Sequence, residues 1–313
     1  MKKVTYNHFG DESVLELVEQ AVPSIENNQL LIRVKAVSIN PLDWKVYGGE
    51  MKLMSGTRFP KSVGVDFSGI VEQAGSATTR FKVGEAVMGL LDVFKGGALA
   101  DYIVVKETDI ALKPASISFE QAAALPVTGL SALQIMDQLA GVRPKQEVLI
   151  NGASGGIGVF AVQIAKKRGA RVTAVVSTDA VTAATQWGAD KVIDYTKQSI
   201  NQLTQRFDVF IDLSTKLSLS EAKPLMKPKG AFVSTLPSPM TLLSSFVNNL
   251  ISGKKHKILI LKPTVEGFKA LADLAEAGLQ IELAKTYALS NVREAYKEAR
   301  HQKRMGKSVI VLD

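Results

Sequence analysis

Val148-Leu149-Ile150-Asn151-Gly152-Ala153-Ser154-Gly155-Gly156-Ile157-Gly158 is the stretch that decides the fold. A short apolar run enters a glycine-rich turn. Behind the turn, Ile157, Phe160, Ala161, Ile164 and Ala165 fall at the helical period. Gly169 stands where a C-terminal cap belongs. Strand, glycine turn and helix in this order open a dinucleotide-binding unit, and Ala153-x-Gly155-x-x-Gly158 is a variant of its G-x-G-x-x-G fingerprint. Small residues are needed there for physical reasons. The reading puts Ala153 at the tight turn, lets the backbone at Gly155 approach a pyrophosphate, and lets the helix at Gly158 pack closely on the strand. Amides at the helix N-terminus then point at the phosphates, and the helix dipole favours their charge.

The next strand, Val172 to Val176, bears on which dinucleotide binds. An NAD site places Asp or Glu about 20 residues beyond the fingerprint, on the ribose 2′-hydroxyl. That count lands between Thr173 and Ser177, where no acid stands. Ser177 and Thr178 are small hydroxyl residues suited to a 2′-phosphate. Asp179 follows with no adjacent arginine, and it also reads as a cap or first-turn residue of the next helix. The expectation is NADPH, with NADH as the other candidate.

Working outward, further apolar runs lie at Val192-Ile193, Val209 to Ile211, Phe232-Val233 and Ile258 to Leu261, with helical segments between most of them. Runs buried on both faces and alternating with helices imply an α/β domain with a Rossmann-type, doubly wound parallel sheet. Upstream, Ser118 and Gln121 fit a capping box, and a helix is expected from Thr128 to Leu139 after Pro126. Residues 1 to about 115 carry short β-branched runs between glycine clusters, the pattern of a compact β-rich domain. The last 30 or so residues read as strand, helix and strand. They exceed a six-stranded sheet, so they are expected to return to the first domain and make it discontinuous.

Composition narrows the classes. At 313 residues, two domains are expected. The absence of cysteine rules out disulfides and thiolate zinc sites, and His8, His256 and His301 lack ligand spacing, so no metal site is expected. The net charge of +8 is dispersed, with small clusters at Lys166-Lys167-Arg168 and Lys254-Lys255-His256-Lys257. These clusters lack interleaved aromatics, which argues against nucleic acid as a partner. No apolar run nears the roughly 18 residues of a membrane helix, so no membrane partner is expected. The N-terminus has no secretory pattern, so a cytoplasmic location is expected.

The chain resembles the medium-chain dehydrogenase/reductase superfamily in its zinc-independent quinone oxidoreductase branch, with the alkenal/2-alkenone reductase-like and chloroplast-envelope-type members. The landmarks are Ile39-Asn40-Pro41-Leu42-Asp43-Trp44-Lys45, Gly64-Val65-Asp66-Phe67-Ser68-Gly69, Ala122 to Ala132, the fingerprint itself, Gly188-Ala189-Asp190 through Tyr195, and Gly306-Lys307-Ser308-Val309. Zinc-dependent relatives carry His-Glu where Val65 and Asp66 stand. The resemblance implies a GroES-like catalytic domain, 1–123 with 264–313, and a Rossmann domain, 124–263, with the active site in the cleft between them. It implies cofactor contacts at Asn40, Thr128, Ser154, Gly155, Gly156, Ile157, Ser177, Tyr195 and Leu213, and a homodimer. Many relatives have arginine at the position of Asp179.

The expected reaction is hydride transfer from NADPH to a quinone or to the β-carbon of an α,β-unsaturated carbonyl. The protein then stabilises the oxyanion that develops. Lys45 is the first candidate for that task, with Asn40 for the nicotinamide ribose or the substrate and Asp43 to orient Lys45 or a water. Lys45 reads equally as a surface lysine, and Asp43 as the cap of a short helix after Pro41. Residues 50–60 and 237–253, with Met51, Leu53, Met54, Met240 and Phe246, would shape an apolar pocket, or serve as core or dimer contacts. The other class of function is a cofactor-binding redox-sensing or structural module without turnover.

Overall fold

The computed structural model describes residues 1–235, 238–302 and 305–312. Its contacts divide the chain into two compact units, Thr128–Lys262 and Met1–Val127 with Pro263–Asp313.

The continuous unit is built on six strands. β1 spans Glu147–Asn151, β2 Arg171–Val176, β3 Lys191–Asp194, β4 Phe207–Asp212, β5 Met226–Ser234 and β6 Lys255–Ile258. They lie in the order β3-β2-β1-β4-β5-β6 and every neighbouring pair is parallel. This is the doubly wound dinucleotide-binding arrangement, and its direction reverses between β1 and β4. The driving force is plain in the sequence. Val148, Leu149, Ile150, Val209, Phe210 and Ile211 are all buried, and each such side chain contributes about 1.5–3 kcal/mol relative to exposure. Helix α1, Gly156–Lys167, follows β1, and Gly169 beyond it takes the left-handed conformation at φ +77 that the expected cap requires. Helix α2, Pro239–Ile251, joins β5 to β6.

Ala153 lies in the β1–α1 turn, beside Gly152, which takes the left-handed conformation at φ +79, and the Ala153 amide donates to the Val175 carbonyl. One local expectation is corrected here. The last strand runs over Lys255–Ile258 rather than Ile258 to Leu261. It is an edge strand paired only with β5, so an alternating Lys-His-Lys-Ile sequence serves it, and Ile260 is left half-exposed.

In the other unit, the Ser118–Gln121 capping box starts the helix Phe119–Ala123. A seven-stranded sheet joins Gln29–Ser38, Asp66–Ala74, Ala86–Leu90, Tyr102–Lys106 and Ile110–Leu112 to two strands from the chain's end, Leu283–Ala288 and Lys307–Val311. Strand Lys307–Val311 pairs antiparallel with Gln29–Ser38, setting Val309 opposite Ser38. The core holds Tyr6, Tyr47 and Tyr296, with Tyr47 edge-on to both of the others. Among the described residues, no helix is long and apolar enough to cross a membrane.

Candidate functional site

The dinucleotide candidate begins at the N-terminus of α1. The amides of Gly156, Ile157 and Gly158, in the first turn, have no carbonyl behind them within the helix. Helices Phe119–Ala123, α2 and Val265–Glu276 each begin with a side chain that caps such amides: Ser118, Ser238 and Thr264. α1 begins at Gly155 with no side-chain cap. The two glycines differ in what surrounds them. A Cβ at Gly155 would meet only the Gly152 carbonyl, at 3.4 Å, so the turn is open on that side. A Cβ at Gly158 would lie 2.4 Å from the Gly152 oxygen and 2.5 Å from that of Ala153. This is a cradle with free donors at an anion-favouring helix end, and it fits a diphosphate.

The ends of neighbouring strands surround this turn. Leu213 follows β4, its amide donates to the Asn151 carbonyl, and its backbone packs against Gly152. Ser177 follows β2, and its hydroxyl has no partner among the described residues. Thr178 is engaged: its hydroxyl donates to Asp194 Oδ2 at 2.6 Å and lies 2.8 Å from Thr196 Oγ1. With the Thr196 hydroxyl, this holds the Asp194 carboxyl down to about 2. A carboxylate therefore already occupies the donor expected to meet a 2′-phosphate, and Lys197, 3.4 Å from Asp194, is the nearby cation. Tyr195 is about half-exposed and its amide donates to the Val176 carbonyl. Ser154, Gly155, Gly156, Ile157, Ser177, Thr178, Tyr195 and Leu213 thus gather at the carboxyl edge of one sheet. Thr128 is buried on the helix Pro126–Leu133.

Asn40 and Asp43 belong to the other unit, in a buried polar cluster. Pro41 starts the helix Pro41–Tyr47, and Asp43 reaches back one turn to accept the Asn40 amide at 2.8 Å. Tyr296 donates its hydroxyl to the same oxygen at 3.0 Å. The Asn40 carboxamide donates to Asp66 Oδ2 at 2.9 Å and accepts from Lys307 Nζ at 2.6 Å. Lys307 also donates to the Ile39 carbonyl and lies 3.9 Å from Asp66. Asp66 accepts in addition from the Ser38 hydroxyl and the Val127 amide, both at 2.8 Å. Burial dominates the electrostatics. It pushes Asp43 up to about 7, against the pull of the Asn40 amide, Lys307 and Tyr296, and it raises Asp66 while lowering Lys307.

This geometry reassigns roles. The Asn40 amide is 2% exposed, and both ends of its carboxamide are held inside the protein, so the structure makes it a link between Lys307 and Asp66. Asp43 acts as the cap. Lys45, half-buried on the same helix, takes no part in the cluster. The lysine that does is Lys307, which the sequence reading passed over. Its signal was two acids, Asp43 and Asp66, set in apolar stretches that need a buried countercharge. Zinc does not fit this place. The Val65 side chain offers no lone pair, Asp66 accepts from three donors with Lys307 3.9 Å away, and no cluster of three candidate ligands exists among the described residues.

Two family models match the chain: an alcohol dehydrogenase GroES-like domain over residues 26–115 and a zinc-binding dehydrogenase over 187–310. The chain is 31% identical to a chloroplastic quinone-oxidoreductase homolog of Spinacia oleracea, covering 99% of this chain and 98% of that one. It is 36% identical to a 2-methylene-furan-3-one reductase of Solanum lycopersicum over 68% of this chain and 56% of that one. Among solved structures, the quinone oxidoreductase from Coxiella burnetii superposes with a TM-score of 0.90 at 29% identity, covering 100% of this chain and 99% of that one.

Proposed function

The chain belongs to the quinone oxidoreductase branch of the medium-chain dehydrogenase/reductase superfamily, and from that premise we propose that it reduces quinones or the conjugated C=C of enones with NADPH, without zinc. The observation that carries this reading is the uncapped start of α1, with an open side at Gly155 and a side chain sterically excluded at Gly158. Gly156, Ile157 and Gly158 would hold the diphosphate through their amides, and Ser177 would meet the 2′-phosphate with its free hydroxyl. When bound, the reduced nicotinamide supplies the hydride.

Lacking a metal Lewis acid, the protein is better matched to acceptors already activated by conjugation than to plain alcohols. That the Solanum lycopersicum relative is a 2-methylene-furan-3-one reductase supports the same class. Lys307 and Asp66 would position the Asn40 loop rather than touch substrate. The test is calorimetric titration with NADPH and NADH, followed by NADPH oxidation against a panel of quinones, alkenals and cyclic enones. Binding with turnover on one of these classes is the expected result. Binding without turnover on any would leave a cofactor-binding module, and no binding of either nucleotide would end the reading.

A further inference from the structure

Between α2 and the crossover that joins β4 to β5, one face of the parallel sheet is left uncovered. That crossover runs over residues 213–225, and its α-helical part is the short turn Leu219–Ala222. A connection between parallel strands normally lays a full helix over the sheet. Here the space between the short turn and α2 forms a cavity of about 420 Å³, a volume within the range of small-molecule sites. Every described residue that lines it belongs to the continuous unit.

A gap that is merely unfilled core is lined by apolar side chains. This one is polar. The inward face of α2 supplies Asn248, 9% exposed, which donates to the Lys254 carbonyl at 2.9 Å, next to Ser245, which donates to the His256 carbonyl at 2.7 Å. The carboxamide oxygen of Asn248 has no partner among the described residues. His256, 7% exposed, sets Nε2 3.0 Å from the Ser234 hydroxyl. Burial lowers the affinity of its imidazole for a proton, so it meets a ligand as a neutral ring. The Lys223 ammonium and the Thr215 and Thr235 hydroxyls line the same space, and none has a partner among the described residues. Thr215 stands at φ +61, a left-handed conformation rare for a β-branched residue, and such outliers gather at ligand clamps. The lining carboxylate, Asp212, is 1% exposed and is held by Asn151, Ser214 and Leu217.

Charge and donor chemistry indicate the ligand. From Leu213 to Lys262 the chain holds eight lysines, no arginine and one acid, Glu221, which places +7 of the whole chain's +8 in this segment. A field of that sign draws anions. The uncommitted groups are of two kinds. Lys223, Thr215 and Thr235 are donors suited to phosphate oxygens, whereas the Asn248 oxygen and the Ser234–His256 pair suit the hydroxyls of a ligand. We propose that this cavity is a second ligand site, which takes a small phosphorylated polyol or sugar. Lys223, Thr215 and Thr235 hold its phosphate, and Asn248 and His256 bind its hydroxyls. None of Gly152 to Gly158, Ser177 or Leu213 lines the cavity, so the site does not rest on the dinucleotide reading.

The test is calorimetric titration of the full chain, with and without NADPH, using glycerol 3-phosphate and glucose 6-phosphate. Inorganic phosphate and glucose serve as the separate halves. One of the esters is expected to bind at least about tenfold more tightly than either half, and equally with and without NADPH. Lys223→Gln and Asn248→Leu, on separate elements, should each weaken the ester at least about tenfold while circular dichroism and NADPH affinity match the wild type. Lys223→Gln keeps the main-chain carbonyl that accepts from Lys254, so it reads out even where Asn248→Leu fails to fold. Binding of neither ester overturns the proposal, as does inorganic phosphate binding as tightly as the esters. Competition between ester and NADPH also overturns it, since that would assign the cavity to the dinucleotide.

Discussion

Gly155 and Gly158 stand three residues apart in one turn, yet a methyl group at each would meet different things. At Gly158 it would strike two backbone oxygens that cannot move aside, so Gly158→Ala should cost about 1–3 kcal/mol of stability and lower the melting temperature. At Gly155 the backbone is extended, at φ −75, and the nearest atom is 3.4 Å away. Gly155→Ala should therefore melt like the wild type and lose at least about tenfold in NADPH affinity, because the methyl projects into the side a diphosphate would enter. Calorimetry and thermal melts on the pair separate a folding glycine from a binding one, and equal melting losses would refute the distinction.

Ser177 supplies the second residue-scale prediction. Thr178 is tied to Asp194, which leaves the Ser177 hydroxyl as the uncommitted donor at the end of β2. Ser177→Asp should raise the NADPH dissociation constant about tenfold or more and leave NADH equal or better, because a carboxylate repels the 2′-phosphate and accepts from a 2′-hydroxyl. An unchanged preference in titrations with both nucleotides would move the ribose site elsewhere. The glycines were legible in the sequence because their task is steric and local. The role of Lys307 was not, because a lysine near a chain end reads as solvated until the fold sets it, 5% exposed, between Asn40 and Asp66.

Among elements, legibility followed burial. Five of the six parallel strands carry apolar runs, and in the four interior ones, β1, β2, β4 and β5, those runs are buried. The sixth was displaced by three residues because an edge strand needs no such run. α2 was unreadable in orientation: its residues do fall on two faces, but only the structure shows that the polar one faces inward.

The short helix Pro41–Tyr47 and the strand Lys307–Val311 are joined through the Asp43, Asn40, Asp66 and Lys307 cluster, and this junction should respond to pH. Asp43 is raised to about 7 by burial, whereas an unfolded chain releases that proton near about 4. Between those values the folded state binds more protons, so the stability contributed by neutral Asp43 is complete below about pH 4 and is lost as pH rises through about 7. Asp43→Asn keeps an acceptor for the Asn40 amide and the Tyr296 hydroxyl but cannot ionise. The stability of the wild type minus that of Asp43→Asn should fall by an amount on the order of 4 kcal/mol across this window and then level off. Urea denaturation from about pH 4.5 to about pH 8 measures it, and a flat difference would show that the carboxyl does not titrate there.

At the scale of the whole molecule, its chemistry is limited by what the chain leaves out as much as by what it brings together. There is no cysteine in 313 residues, and His8, His256 and His301 do not cluster. His256 is turned into the sheet beside Ser234, 3.0 Å away, with burial lowering its affinity for a proton. The position where zinc-dependent relatives carry His-Glu holds Val65 and an Asp66 already surrounded by donors. On the proposed reading the protein polarises its substrate through hydrogen bonds and fixed charge, so removing metal should cost it nothing. Dialysis against a chelator is expected to leave NADPH affinity and turnover unchanged, with elemental analysis finding well below one zinc per chain. Stoichiometric zinc whose removal abolishes turnover would overturn this, because it would require ligands from side chains that now hold one another.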